Sequence, residues 1–215
     1  AVASPEEAMT LQGTVNKCGL LLLLVIVSAA YTWNLFFTTP EASVVTPYIL
    51  GGALGGFAVA LVTVFKKTWS PVTAPLYAVL EGLFLGGISA LMEMEFPGIV
   101  IQAVAMTFGV FLCLLLAYRS GLIKATENFK LGVAAATGGI AVIYVITMLL
   151  GFWGIQMPYI HESGIVGIGF SIFVVIVAAL NLVLDFDFIE TGAEQGAPKY
   201  MEWYASFGLL VTLIW

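Results

Sequence analysis

Apolar runs of about twenty residues recur along this chain, each long enough to cross ~30 Å of hydrocarbon at ~1.5 Å per helical residue. Complete runs occupy residues 18–37, 45–65, 72–92, 98–118, 131–152 and 165–184, and a seventh starts near residue 203. The Lys and Arg residues, seven in all, are Lys17, Lys66, Lys67, Arg119, Lys124, Lys130 and Lys199. With the N-terminus placed inside, every one of them falls on the inner side, as the positive-inside rule requires. The outer segments carry Glu41, Glu93, Glu95 and Glu162 but no Lys or Arg. The expectation is an all-α, polytopic membrane protein, a bundle of seven transmembrane helices. Its place is the cell (inner or plasma) membrane, with the N-terminus cytoplasmic and the lipid bilayer as its first partner.

Composition agrees. The chain is 61% hydrophobic and 9% charged, against ~45–50% and ~25% in soluble domains. Unbroken apolar runs without ten-residue alternation favour helices over a barrel. The first run is too long for a cleaved signal peptide and leads into no soluble body. No basic patch suits nucleic acid, and none is expected as a partner. Cys18 and Cys113 lie in apolar runs without a CxxC or histidine partner and read as packed thiols.

Residues 1–16 read as a cytoplasmic N-terminal segment, with Ser4-Pro5-Glu6-Glu7 as a helix start. Residues 17–215 read as the seven-helix domain. Thr39-Pro40, Ser70-Pro71, Phe96-Pro97-Gly98, Ser120-Gly121 and Ser163-Gly164 mark turns. The last run ends about thirteen residues in, too short for a crossing, so the natural chain is expected to continue with at least about seven more apolar residues. Gly51 with Gly55, Gly52 with Gly56, and Gly82 with Gly86 place small residues one turn apart for tight helix contact or a dimer seam.

Charges at membrane depth are the candidate functional groups. Glu81 lies roughly 13 Å into the third run, where an ionised carboxylate is costly unless neutral, paired or wet. It reads either as a protonated acid bonded to a neighbouring helix or as a proton or cation ligand. Asp185, Asp187 and Glu190 close the sixth run, where acids oppose the helix dipole and repel one another. Asp187 and Glu190 share a face if the helix continues, and Asp185 points elsewhere. A cation, a proton or Lys199 would relieve the repulsion, and simple solvation is the bland alternative. Oxygen ligands alone suit calcium or protons, not a transition metal. His161, the single histidine, reads as solvated, so zinc is not expected. Without a phosphate-binding loop or nucleophile elbow, no enzyme activity and no cofactor are expected.

Several of these segments resemble one family. Leu80-Glu81-Gly82-Leu83-Phe84-Leu85-Gly86, Thr107-Phe108-Gly109, Asp185-Phe186-Asp187 and Gly196-Ala197-Pro198-Lys199-Tyr200-Met201-Glu202-Trp203-Tyr204 are similar to the Bax inhibitor-1-like (transmembrane Bax-inhibitor-motif) membrane proteins, bacterial-type branch. The likeness runs from about Cys18 onward, and residues 196–204 are its most specific part. It implies six helices around a central seventh. It also implies, as for some members, a pH-sensitive calcium leak gated by two aspartates that share protons. Asp185 matches the first aspartate. No acid occurs from residue 203 to 215, so the second is either absent or beyond Trp215, and Glu202 stands early for that role. Lys66 and Lys67 stand where the family has basic residues, which suggests a latch beside their plain reading as membrane anchors.

Two functions follow as expectations. One is a calcium or proton leak pathway using Asp185 with a partner beyond Trp215, or with Asp187, Glu81, Glu202 or Glu190 in its place, calcium being one candidate for the transported ion. The other is a non-transporting accessory subunit or regulator that binds other integral membrane proteins.

Overall fold

A computed structural model describes residues 8–39, 41–153 and 164–215. The helix start expected at residues 4–7, together with Pro40, His161, Glu162 and Ser163, lies outside the described residues. All regular elements among the described residues are helices: α1 (Leu11–Thr38), α2 (Thr46–Phe65), α3 (Ser70–Glu95), α4 (Ile99–Arg119), α5 (Glu127–Phe152), α6 (Ile165–Glu194) and α7 (Met201–Ile214), with short 3-10 helices at Ala42–Val45 and Lys67–Trp69. Six are long and apolar enough to cross a membrane, and α7 is a shorter apolar helix.

Two helices, α1 and α6, run furthest past their apolar runs. α1 starts at Leu11, ahead of residue 18, because Thr10 caps it and accepts the N–H of Gly13 at 3.0 Å. Residues 11–16, expected in the N-terminal segment, thus form the first turns of α1. α6 passes residue 184 and continues to Glu194. No proline interrupts it, and one of its acids, Asp187, finds a counter-charge described below.

The chain forms two compact units: Ala1–Gly109 with Phe188–Ile214, and Val110–Asp187 with Trp215. In the first unit α3 lies between α1 and α2, and α1 and α3 both pack on α7. Glycine permits the close approaches. A Cβ on Gly52 would stand 2.6 Å from the Leu80 carbonyl oxygen, so α2 rests directly on the α3 backbone. Gly82 and Gly86 turn to α1, where a Cβ would overlap Ser28 and Val25, or Ala29 and Thr32. Gly51 meets nothing within 4 Å and Gly55 makes only ordinary contact with Leu80. The two interleaved pairs on α2 are rotated ~100° apart, so one pair faces α3 and the other cannot.

A polar bond joins the same seam: Thr32 Oγ1 donates to the Leu83 carbonyl oxygen at 3.1 Å. The core below it comprises Leu21, Val25, Ala74, Tyr77, Ala78, Phe207 and Leu210. Tyr77 of α3 meets Phe207 of α7 edge-on at 5.0 Å, a favoured ring geometry. Phe36, Val45 and Ala90 form a second cluster towards the other ends of α1 and α3. Glu93, in the last turn of α3, accepts the N–H groups of Gly98 (2.6 Å) and Val100 (3.2 Å), which satisfies free donors at the start of α4.

In the second unit α5 and α6 meet through Asn181, whose Nδ2 donates to Thr137 Oγ1 at 2.9 Å. Tyr144 lies 6.3 Å from Phe170 between ring centroids. Phe111 and Tyr118 of α4 both lean on Phe186 of α6.

Candidate functional site

Glu81 sits within α3 and is 1% exposed. The helix turns it towards α2, where a Cβ on Gly56 would come within 3.1 Å of its Oε2. Tyr77, one turn earlier, hydrogen-bonds the carboxyl. Oε1 is buried and has no hydrogen-bond partner among the described residues. A buried acceptor of this kind costs about 1–3 kcal/mol. The site therefore has capacity for one more donor: a proton, a water or a cation.

Glu202 has a different environment. It stands in the first turn of α7, ahead of the apolar run, and its side chain is 0% exposed. Its Oε1 accepts the backbone N–H and the hydroxyl of Thr10, each at 2.9 Å, and the ammonium of Lys199 at 2.9 Å. Its Oε2 accepts the ammonium of Lys17. Ser206, one turn on, donates to the carbonyl oxygens of Glu202 (2.7 Å) and Thr14 (3.0 Å). Both carboxylate oxygens are thus engaged, and a transported ion would have to displace an ammonium to reach them.

The acids of α6 separate. Asp187 pairs with Lys130 of α5 at 2.8 Å, and Lys130 also meets Glu127 at 3.4 Å. Lys199, the counter-charge anticipated for the α6 acids, is used by Glu202 instead. The reason is proximity: Lys199 stands in the turn three residues before Glu202, whereas Lys130 lies in the first turn of α5, within reach of α6. Asp185 is half-buried, two residues from the buried Val183 and next to the buried Phe186. Glu190 is exposed.

Lys66 and Lys67 are both exposed, and each lies over an aromatic ring. Lys66 Nζ is 4.7 Å from the centroid of Trp69, and Lys67 Nζ is 5.0 Å from that of Tyr204 in α7. Lys17 Nζ in turn lies 5.4 Å from the Trp203 centroid, and Ser70 Oγ donates to the Tyr200 carbonyl oxygen at 2.9 Å. Residues 196–204 therefore tie the N-terminal residues, α1, the α2–α3 turn and α7 together at one end of the first unit. Lys17, Lys66, Lys67 and Lys199 all collect there.

Sequence reasoning placed Glu202 among the acids of interest but missed Thr10, Lys17 and Ser206 as its partners and Lys130 as that of Asp187. Lys17 and Glu202 are 185 residues apart in the chain, and no local period connects them. The one available signal was charge scarcity: an acid at the mouth of an apolar run requires a base, and Lys17 stands at the mouth of another.

Long apolar helices whose few interior charges are buried or paired make this a polytopic helical membrane protein. The family model described as Bax inhibitor 1 like matches residues 1–215, the whole chain, and the protein belongs to that family. No curated protein and no solved structure gives a match.

Proposed function

We propose that this protein provides a pH-sensitive leak pathway for calcium or protons across the cell membrane. The observation that carries this reading is Glu81, a carboxyl buried within a membrane-length helix with one oxygen open to a further donor. Asp185 is the second acid of the pathway, on the resemblance of Asp185-Phe186-Asp187 to the family's gating segment. Asp187 is engaged by Lys130 and Glu202 by two lysines, so in this reading those two acids hold helix ends together and do not exchange the ion. In this reading α7 becomes the central helix of the bundle and the N-terminus is cytoplasmic. Lys67 on Tyr204 acts as a latch between the α2–α3 turn and α7. Calcium is cargo, and there is neither a catalytic step nor a resident cofactor.

The test is calcium flux into liposomes across a range of pH. Wild type should give pH-dependent flux, Asp185→Asn should abolish the pH response, and Glu81→Gln should lower the flux. Flux indistinguishable from empty liposomes at every pH would sink the reading.

A second reading, an accessory subunit of a larger membrane assembly, draws on α5. Gly132, Gly138 and Gly139 meet nothing within 4 Å, and small residues of this kind seat a neighbouring helix. Co-purification of a defined integral membrane partner, lost on Gly138→Leu, would favour it.

A further inference from the structure

The entry to α7 is held by the beginning of the described chain. Ala8 pairs with Pro198 in an isolated antiparallel bridge, and Met9 donates its N–H to the Ala197 carbonyl oxygen at 2.6 Å. The Met9 side chain is 2% exposed, with its sulfur 3.0 Å from where a Cβ on Gly192 would stand. Thr10 follows with two hydrogen bonds to Glu202 Oε1, and its hydroxyl at the same time accepts from Gly13 and caps α1.

Glu202 is more than an incidental ion pair. It is fully buried, and both its oxygens are occupied by three donor residues from two stretches: Thr10 and Lys17 at the start of α1, and Lys199 just before α7. A buried carboxylate stripped of partners is strongly unfavourable, so the donors and the acid hold one another in place. Gly13 completes the arrangement, because a Cβ there would overlap the Glu202 carboxylate. Glu190 and Glu194, on the last turns of α6, are exposed and take no part in the bonds to Glu202.

We infer that residues 8–10 form a strap closed over the entry to α7, and that Glu202 is the positioning residue that locks it, not an ion ligand. The strap fixes where α7 begins relative to α1. The lock is independent of whether the chain conducts ions, and its test does not read flux.

The experiment uses the full chain in liposomes, with Cys18 and Cys113 replaced by serine and a single reporter cysteine at Ala8→Cys. The rate of labelling by a water-soluble maleimide reports opening of the strap. A control reporter, Lys124→Cys, lies in the α4–α5 turn. Glu202→Gln removes the charge. Gly13→Ala keeps every charge, displaces the carboxylate and favours the α1 helix locally, so the chain still folds. Both variants should raise labelling at position 8 about tenfold, the effect of a lost charge-assisted contact on a local opening equilibrium. Labelling at position 124 should stay the same. A rate at position 8 unchanged in both variants, or raised equally at positions 8 and 124, overturns the inference.

Discussion

Gly13 and Glu202 share one small volume: the α1 backbone at Gly13 lies so close to the Glu202 carboxylate that a methyl group there would overlap it. The contact is possible because Thr10, three residues before Gly13, both caps α1 and donates to the same carboxylate. The helix start and the buried charge are thus built from the same atoms.

The two lysines on Glu202 should contribute unequally. Lys17 has a side chain 19% exposed and Lys199 one 48% exposed, so water can replace Lys199 far better. Lys17→Met should destabilise by roughly 3–5 kcal/mol, as for one partner of a buried pair. Lys199→Met should cost about 1 kcal/mol or less, as for a surface pair. Thermal unfolding in detergent, followed by circular dichroism, checks the order, and equal losses would contradict it.

Glycine substitutions should divide by the face they occupy. Gly82→Ala places a methyl group into the α1 backbone at Val25 and should cost about 1–3 kcal/mol through overpacking. Gly51→Ala meets open space and should be neutral or up to ~1 kcal/mol stabilising through helix propensity. The same unfolding measurement decides, and a loss at Gly51 as large as at Gly82 would remove the assignment of faces.

Asp185 and Asp187 should respond differently to neutralisation. The Lys130–Asp187 pair is partly exposed on both sides, so Asp187→Asn should cost under ~1 kcal/mol and respond to salt. The proposed pathway predicts that the pH response of calcium flux survives Asp187→Asn and disappears in Asp185→Asn. The reverse pattern would exchange the roles of the two aspartates.

Glu81 should matter more to transport than to stability. Glu81→Met keeps a similar length and removes a buried oxygen that lacks a partner among the described residues. Apolar replacement recovers the desolvation cost of that oxygen, about 1–3 kcal/mol, but strands the buried Tyr77 hydroxyl at a similar cost, so the net change should be small. A nearly unchanged unfolding temperature together with lost flux is expected. A large drop in unfolding temperature would mean that the carboxyl supports the packing of α3.

Sidedness follows from the basic residues. A cysteine at Lys124 should react from the cytoplasmic face and one at Glu95 from the opposite face, by the positive-inside rule. Labelling of both positions from one side in sealed vesicles would refute this arrangement.

The number and type of helices could be read directly from the chain, because spanning hydrocarbon demands a long apolar run whatever it packs against. Residues 196–204 carried the family resemblance, and the whole-chain match agrees with it. The ends of α1 and α6 were less legible. A cap at Thr10 and a helix carrying Asp185, Asp187 and Glu190 past its apolar stretch depend on polar partners, which hydropathy does not register.

Pairing was decided by the fold alone. Nothing local distinguishes Gly51–Gly55 from Gly52–Gly56, since both have the same spacing, and only the direction of α3 selects the second. Nor does the chain reveal that Lys17 and Lys199 belong to Glu202 while Lys130 belongs to Asp187. Hydrophobic length is a property of a single segment measured against the bilayer, so the sequence determined which segments enter the membrane. Charge neutralisation and close contact each require two segments at ångström separation, so which partners meet was settled only when the helices packed.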